Sequence, residues 1–299
     1  MSLPSSNRQL CFFIGPGFLV FVGILLIPLL CTFLLSFFES SSSYFSLTEL
    51  QYVGFKHFSD LLQDTTFLHA TYLLLLFVSI STCIEMLIAF SVAYYLDQII
   101  KLPKFVHTML ILPMFVLPIV SGLSFRYLFD PENGIIASIF FRFGLEAPDF
   151  LGSQWGAFFL IVIQDVWRMW PFLFMILFAG FANIPKNLLE AARLDGANLW
   201  QQCRFVIFPH LKHTLIIALV LKVIESFKAF TEIFCMTGGG PGDATNILSL
   251  FIVKQVTDYH RFGYGSAASL VLLFISISII ITFAYLQNSK KKLPEGSYS

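Results

Sequence analysis

WGAFFLIVIQDVWRMWPFLFMILFAGFANIPKNLLEAARLDGANLWQQCRFVIFP, residues 155–209, sets a long apolar run against a polar, punctuated one. The run Trp155–Ala182 is long enough to cross a bilayer, whose hydrocarbon core takes roughly 20 helical residues. Residues 183–209 then change character. Pro185 suits the first turn of a helix, where its missing N–H has no intrahelical partner. Leu188, Leu189 and Ala192 recur at helical spacing while Glu190 and Arg193 point elsewhere. Gly196 accepts a positive φ and ends that short helix. A second amphipathic piece follows, and Pro209 marks the entry to the next span. The stretch reads as a span that leaves the membrane into a compact helix-turn-helix. Its small residues, Ala191, Ala192, Gly196 and Ala197, let another backbone come close. The same pattern also suits a plain interfacial connector, and pattern alone leaves both open.

The rest of the chain continues the apolar theme. Of 299 residues, 57% are hydrophobic and 12% charged, about half the charged share of a soluble domain. The mean hydropathy is +0.80. Six stretches are long enough to span: Leu10–Phe38, Thr71–Leu96, Phe105–Phe129, Trp155–Ala182, Leu211–Phe234 and Tyr264–Leu286. The fold class expected is therefore all-α, a polytopic membrane protein with six transmembrane helices. The first stretch is too long for a signal-peptide core and lacks a small-residue cleavage site, so it is read as a retained helix. Formal net charge is zero, which gives no reason to expect a nucleic-acid partner.

Basic residues set the orientation. Arg8, Lys101, Lys104, Lys186, Arg193, Arg204, Lys212 and Lys290–Lys292 fall on one side of the six-span arrangement. The opposite loops hold Lys56, Arg142, Lys254 and Arg261, over a greater length. The positive-inside rule then predicts both termini and residues 183–209 in the cytoplasm. The Lys290–Lys292 cluster reads as an anchor at the inner leaflet, and the Ser40–Ser43 run as an external loop.

Cys11, Cys31, Cys83, Cys203 and Cys235 form no CxxC pair and are read as buried, inert thiols. His210 and His213 have a spacing that suits a metal, but no third ligand stands near them in sequence, and no metal site is assigned. The glycines of Gly238-Gly239-Gly240-Pro241-Gly242 lack the Lys of a P-loop and are read as a tight external loop. No cofactor is expected on this chain.

The run Glu190-Ala191-Ala192, with Gly196 four residues after the second Ala and an Ile-Phe-Pro ending at Pro209, resembles the EAA loop of permease subunits in ATP-binding-cassette importers. The string IPKNLLEAARLDGANLWQQCRFVIFPHL is similar to the sugar-permease branch, the maltose and glycerol-3-phosphate type. Ile111–Gly134, with its spaced prolines, is similar to the family's third-span pattern. MTGGGPGDAT, Met236–Thr245, is similar to the loop after the fifth span in the first of two paired permeases. The second span, with Glu85 and AFSVAYYLD, is less typical, and no role is assigned to it.

The resemblance implies a MetI-like, type I importer permease fold in a bacterial cytoplasmic (inner) membrane. It implies as partners a second homologous permease, two cytoplasmic ATPase subunits that carry ATP and Mg, and an extracytoplasmic solute-binding protein. The implied division is a tail, first helix and external loop over residues 1–66, the importer transmembrane domain over 67–288 with its coupling loop at 183–209, and a cytoplasmic tail over 289–299. Glu190, Ala191, Ala192, Asp195, Gly196 and Pro209 would carry ATPase coupling. The solute, a sugar, oligosaccharide, polyol or glycerol 3-phosphate, stays open.

Charged side chains inside spans are costly and flag a pathway or an internal pair. Lys222, Glu225, Lys228 and Glu232 of the fifth span fall on one helix face, a stripe expected to look into the bundle interior. Asp165, Trp167, Arg168 and Trp170 sit near the middle of the fourth. These eight are the substrate-pathway candidates, with aromatic faces for sugar rings and charged groups as hydrogen-bond partners. The competing reading pairs Asp165 with Arg168 and Glu225 with Lys228 as ion pairs that orient helices. A secondary transporter driven by an ion gradient also suits intramembrane Lys and Glu, yet leaves residues 183–209 without a purpose. An intramembrane enzyme needs a buried Ser–His or HExxH constellation, which the sequence lacks.

Overall fold

The computed structural model describes residues 15–40, 50–98 and 103–288. The readings that fall on Arg8, Leu10, Cys11, Lys101, Ser41–Ser43, Lys290–Lys292 and the tail 289–299 lie outside the described residues. Among the described residues five helices are long and apolar enough to cross a membrane, or six if one bent pair counts as a single span. The chain divides into two compact units, one formed by Phe251–Phe274 with the chain before His69, the other by His69–Leu250 with the chain from Ile275.

In the first unit, helix α1 (Gly15–Leu35) is apolar throughout and none of its residues is buried within the chain. An antiparallel ribbon follows, β1 (Phe38–Ser40) on β2 (Leu50–Tyr52), with Phe38 opposite Tyr52. It adds two short strands to a fold expected to be wholly helical. Helix α2 (Lys56–Gln63) ends at Asp64, whose Oδ1 accepts from the amides of Thr66 and Phe67 and so caps α3 (Thr65–Gln98). Asp64 Oδ2 accepts from the Tyr264 hydroxyl at 2.6 Å. Gly263, the next-to-first residue of α12 (Phe262–Asn288), lies so close to the Phe38 carbonyl that any side chain there would collide with it.

The second unit is the packed bundle. Helix α4 (Lys104–Ile111) runs through a 3₁₀ turn at Leu112–Phe115, and α5 (Pro118–Leu128) leaves at 90° to it. The expected third span is therefore not one straight helix. Pro113 and Pro118 have no N–H to give, and each restricts the residue before it. Leu117, before Pro118, accordingly takes a ψ of 139°, and Val116 one of 126°, values at which the helix stops, while Leu112 before Pro113 stays helical at −42°. Helices α6 (Ile135–Arg142), α7 (Gln154–Phe181), α8 (Lys186–Leu194), α9 (Leu199–Phe227), α10 (Thr231–Thr237) and α11 (Leu248–Thr257) complete the order.

The core joins α3, α7, α8 and α9 through Ala89, Tyr94, Phe174, Phe181, Leu189 and Leu211. Small residues set the approach of these helices. A Cβ on Gly180 of α7 would meet Thr214 and Leu211 of α9, and one on Gly122 of α5 would lie 2.5 Å from the Glu232 carbonyl of α10. Close crossings of this kind are how helices associate where lipid offers no hydrophobic drive.

Two further expectations are corrected. Pro209 does not open the fifth span: α9 is continuous from Leu199, and a π turn at Cys203–Ile207 precedes the proline. The Phe208 amide bonds to the Cys203 carbonyl across that wider turn, which accommodates a residue that an α-helix interior resists. Among the described residues the thiols are not buried: Cys31 and Cys83 are exposed and Cys203 and Cys235 half-buried. Their apolar sequence context reflects helix faces turned outward from this chain, not its interior.

Candidate functional site

The short helix after the fourth span forms as its sequence implies. Pro185, with φ −61°, stands at its N-cap, and Gly196, with φ +76°, follows its C-cap Asp195. The Gly196 and Ala197 amides bond back to the Arg193 and Ala192 carbonyls, closing the turn. Leu189 is buried and fastens α8 to the bundle core. Glu190, Ala191 and Asp195 are exposed, Ala192 is half-buried, and Leu194 is 89% exposed. Asn198 then caps α9 reciprocally with Gln201, and Leu199 and Trp200 on its first turn are also exposed. Arg204 lies over the Trp200 ring. A polar helix held by one buried leucine thus presents an apolar rim, Leu194, Leu199 and Trp200, with Glu190 nearby in the sequence. Pro209, also exposed, lies further along α9.

The intramembrane charges separate into two groups. Lys222 is fully buried, its Nζ 2.7 Å from Asp165 Oδ2 and 2.8 Å from Glu85 Oε1. Arg168, 14% exposed, reaches Glu232 Oε1 at 3.0 Å and lies 4.0 Å from Asp165 Oδ1. These five groups come from α3, α7, α9 and α10. Glu225 and Lys228 pair with each other at 2.6 Å, but both are exposed. The single charged face expected along the fifth span does not exist, because α9 ends at Phe227 and α10 starts afresh at Thr231. The break holds because the Ser249 hydroxyl donates to the Ala229 carbonyl, which is released from the helix. Of the two ion pairs anticipated, Glu225–Lys228 forms as such, whereas Asp165 is closer to Lys222 than to Arg168.

Glu85, to which sequence reasoning gave no role, proves to be a direct partner of Lys222. A fully buried carboxyl in a span was itself the signal; its partner on α9 was not visible in sequence. Trp170 is half-buried against the core and packs on Phe174, whereas Trp167 is 39% exposed beside Phe125. Gln164 donates to the Ser121 hydroxyl at 2.8 Å, tying α7 to α5.

The glycine-rich loop after α10 turns on positive φ values at Gly238, Gly239 and Gly242. Its amides are used internally: Gly240 bonds to the Thr237 carbonyl and Thr245 to that of Gly239. Thr245 Oγ also donates to the Gly240 carbonyl. A loop that spends its N–H groups on itself is not a phosphate cradle. Beside it opens a cleft of about 810 Å³ lined by Leu123, Arg126, Asp130, Asp149, Phe234 and Thr237, among others.

Residues 75–292 match the family described as the inner membrane component of binding-protein-dependent transport systems. The trehalose/maltose transport system permease protein MalF of Thermococcus litoralis is 30% identical over 270 residues, 90% of each chain. The sn-glycerol-3-phosphate transport system permease protein UgpA of Agrobacterium fabrum is 31% identical over 230 residues, 76% of this chain and 78% of that one. In fold, the chain is similar to one in the crystal structure of a bacterial alginate ABC transporter with an alginate pentasaccharide-bound periplasmic protein. The TM-score is 0.82 over 96% of both chains at 19% identity, which speaks to architecture alone. The chain belongs to the binding-protein-dependent inner membrane transport components, as a multi-pass, non-enzymatic permease of the sugar ABC importer family with a MetI-like fold.

Proposed function

We propose that this permease moves a sugar or sugar-like solute across the cytoplasmic membrane by alternating access, driven through α8 by a separate ATPase subunit. The observation that carries the proposal is the exposure of α8. Its single buried anchor, Leu189, joins the bundle core, while Leu194 and, on the first turn of α9, Leu199 and Trp200 are exposed. In this reading Glu190 supplies a charged contact, Ala191 and Ala192 permit close approach, Asp195 and Gly196 form the turn, and Pro209 follows the π turn inside α9. Residues 183–209 and both termini are assigned to the cytoplasm on the positive-inside bias. The partners proposed are a second permease, two ATPase subunits and an external binding protein. MalF and UgpA are named for trehalose/maltose and glycerol 3-phosphate, which supports the solute class. Such relatives leave the ion-coupled reading without support.

Burial divides the pathway candidates. Lys222 and Asp165 are sealed within the bundle and act structurally in this arrangement. Trp167, half-exposed Trp170 and partly exposed Arg168 with its partner Glu232 are the stronger candidates for solute contact, and Glu225 and Lys228 for contact with the partner permease.

Gly196→Asp tests the coupling assignment cleanly. Nothing lies within 4 Å of a Cβ added there, so the fold is expected to tolerate the change at a strain of about 1–2 kcal/mol. The variant inserts, and reconstituted transport falls at least about tenfold, a loss equivalent to about 1.4 kcal/mol of coupling, while ATP hydrolysis persists. Undiminished transport overturns the role given to α8.

A further inference from the structure

We propose that the Glu85–Asp165–Lys222 cluster binds one proton, carried by Glu85 as a neutral carboxylic acid. Two carboxyl groups converge on one ammonium here, and the three side chains are 0%, 2% and 0% exposed. The other charged groups facing the cluster are Arg168 of α7 and Glu232 of α10. With every group ionised, Glu85, Asp165 and Glu232 outnumber Lys222 and Arg168 by one negative charge. An uncompensated charge in the interior of a spanning bundle is opposed by several kcal/mol. Taking up a single proton removes it.

The surroundings of the three acids decide which one holds the proton. Asp165 accepts a hydrogen bond from Lys222 and has Arg168 as a second cation. Glu232 accepts from Arg168 and lies in the first turn of α10, where the helix dipole favours an anion. Glu85 has Lys222 alone, at ion-pair distance but without hydrogen-bond alignment, and neither of its oxygens has a hydrogen-bond partner among the described residues. The hydroxyls of Ser81 and Thr82, one turn earlier on α3, are buried without partners. Neither hydroxyl brings Glu85 a second cation. With its proton in place, Glu85 leaves the Lys222–Asp165 pair balanced, and the node linking α3, α7 and α9 becomes electrically neutral.

Infrared spectroscopy of the assembled importer in ester-free detergent at neutral pH tests this. The expected result is a protonated-carboxyl C=O band that shifts on ¹³C-glutamate labelling, is unmoved by ¹³C-aspartate labelling, and disappears in Glu85→Gln. Should Glu85→Gln fail to assemble, Glu85→Asp decides: the band then follows the aspartate label. A wild-type spectrum that does not differ from Glu85→Gln in this region, or a wild-type band that follows aspartate, overturns the proposal.

Discussion

Lys222 and Lys228 come from one short segment and each is paired with an acid, yet their surroundings are opposite. Lys222 is sealed between two carboxyl groups on other helices; Lys228 pairs with its near neighbour Glu225 with most of its side chain exposed. Alternating charge along a segment therefore says little about what its members do. The distant elements that close over each residue decide it. A buried pair resists loss of one member strongly, because the other is left uncompensated, whereas an exposed pair is screened and contributes little.

The sharpest way to break the contrast is Lys222→Met. It removes the cation beside Glu85 and leaves Asp165 with Arg168 alone, 4.0 Å away, and is expected to destabilise the folded complex by about 3–5 kcal/mol, read as loss of assembled protein or a lower melting temperature in detergent. Next is Gly122→Val, which drives a side chain into the Glu232 backbone and pushes Glu232 away from Arg168. A cost of about 1–3 kcal/mol is expected from such overpacking, measured in the same way. Lys228→Met should change stability by less than about 1 kcal/mol; a loss as large as that of Lys222→Met would abolish the distinction.

Smallest of all is Lys56→Met, which removes the exposed pair with Glu39. The hydrogen bond that Lys56 donates to Glu39, and then the Glu39 charge, hold the Lys56 ammonium above its ordinary range. What little the pair contributes is present below the usual lysine pKa and lost only as pH rises through the raised one. Melting at neutral pH should show no measurable change.

Much of this arrangement was legible in local pattern. The fourth span begins and ends within a residue of its apolar run, and α8 starts and stops at Pro185 and Gly196 as backbone chemistry requires. The break in the third span was written in Pro118, although one proline alone does not give a bend of 90°. The break after Phe227 was not legible, because no Pro or Gly marks it; the Ser249 hydroxyl, supplied from α11, takes up the released Ala229 carbonyl. Glu85 shows the same limit. Burial of an acid in a span could be foreseen, but the pairing with Lys222 arises only once α3 and α9 are side by side.

The corner between Phe115 and Pro118 carries a consequence for what surrounds this chain. Hydrocarbon cannot solvate peptide groups that have left a helix, so irregular backbone at that depth survives only under a protein roof or against water. Phe115 and Leu117 are 72% and 64% exposed, so this chain does not roof the corner by itself. If the corner lies at that depth, the flank calls for a neighbouring subunit or an aqueous passage beside it.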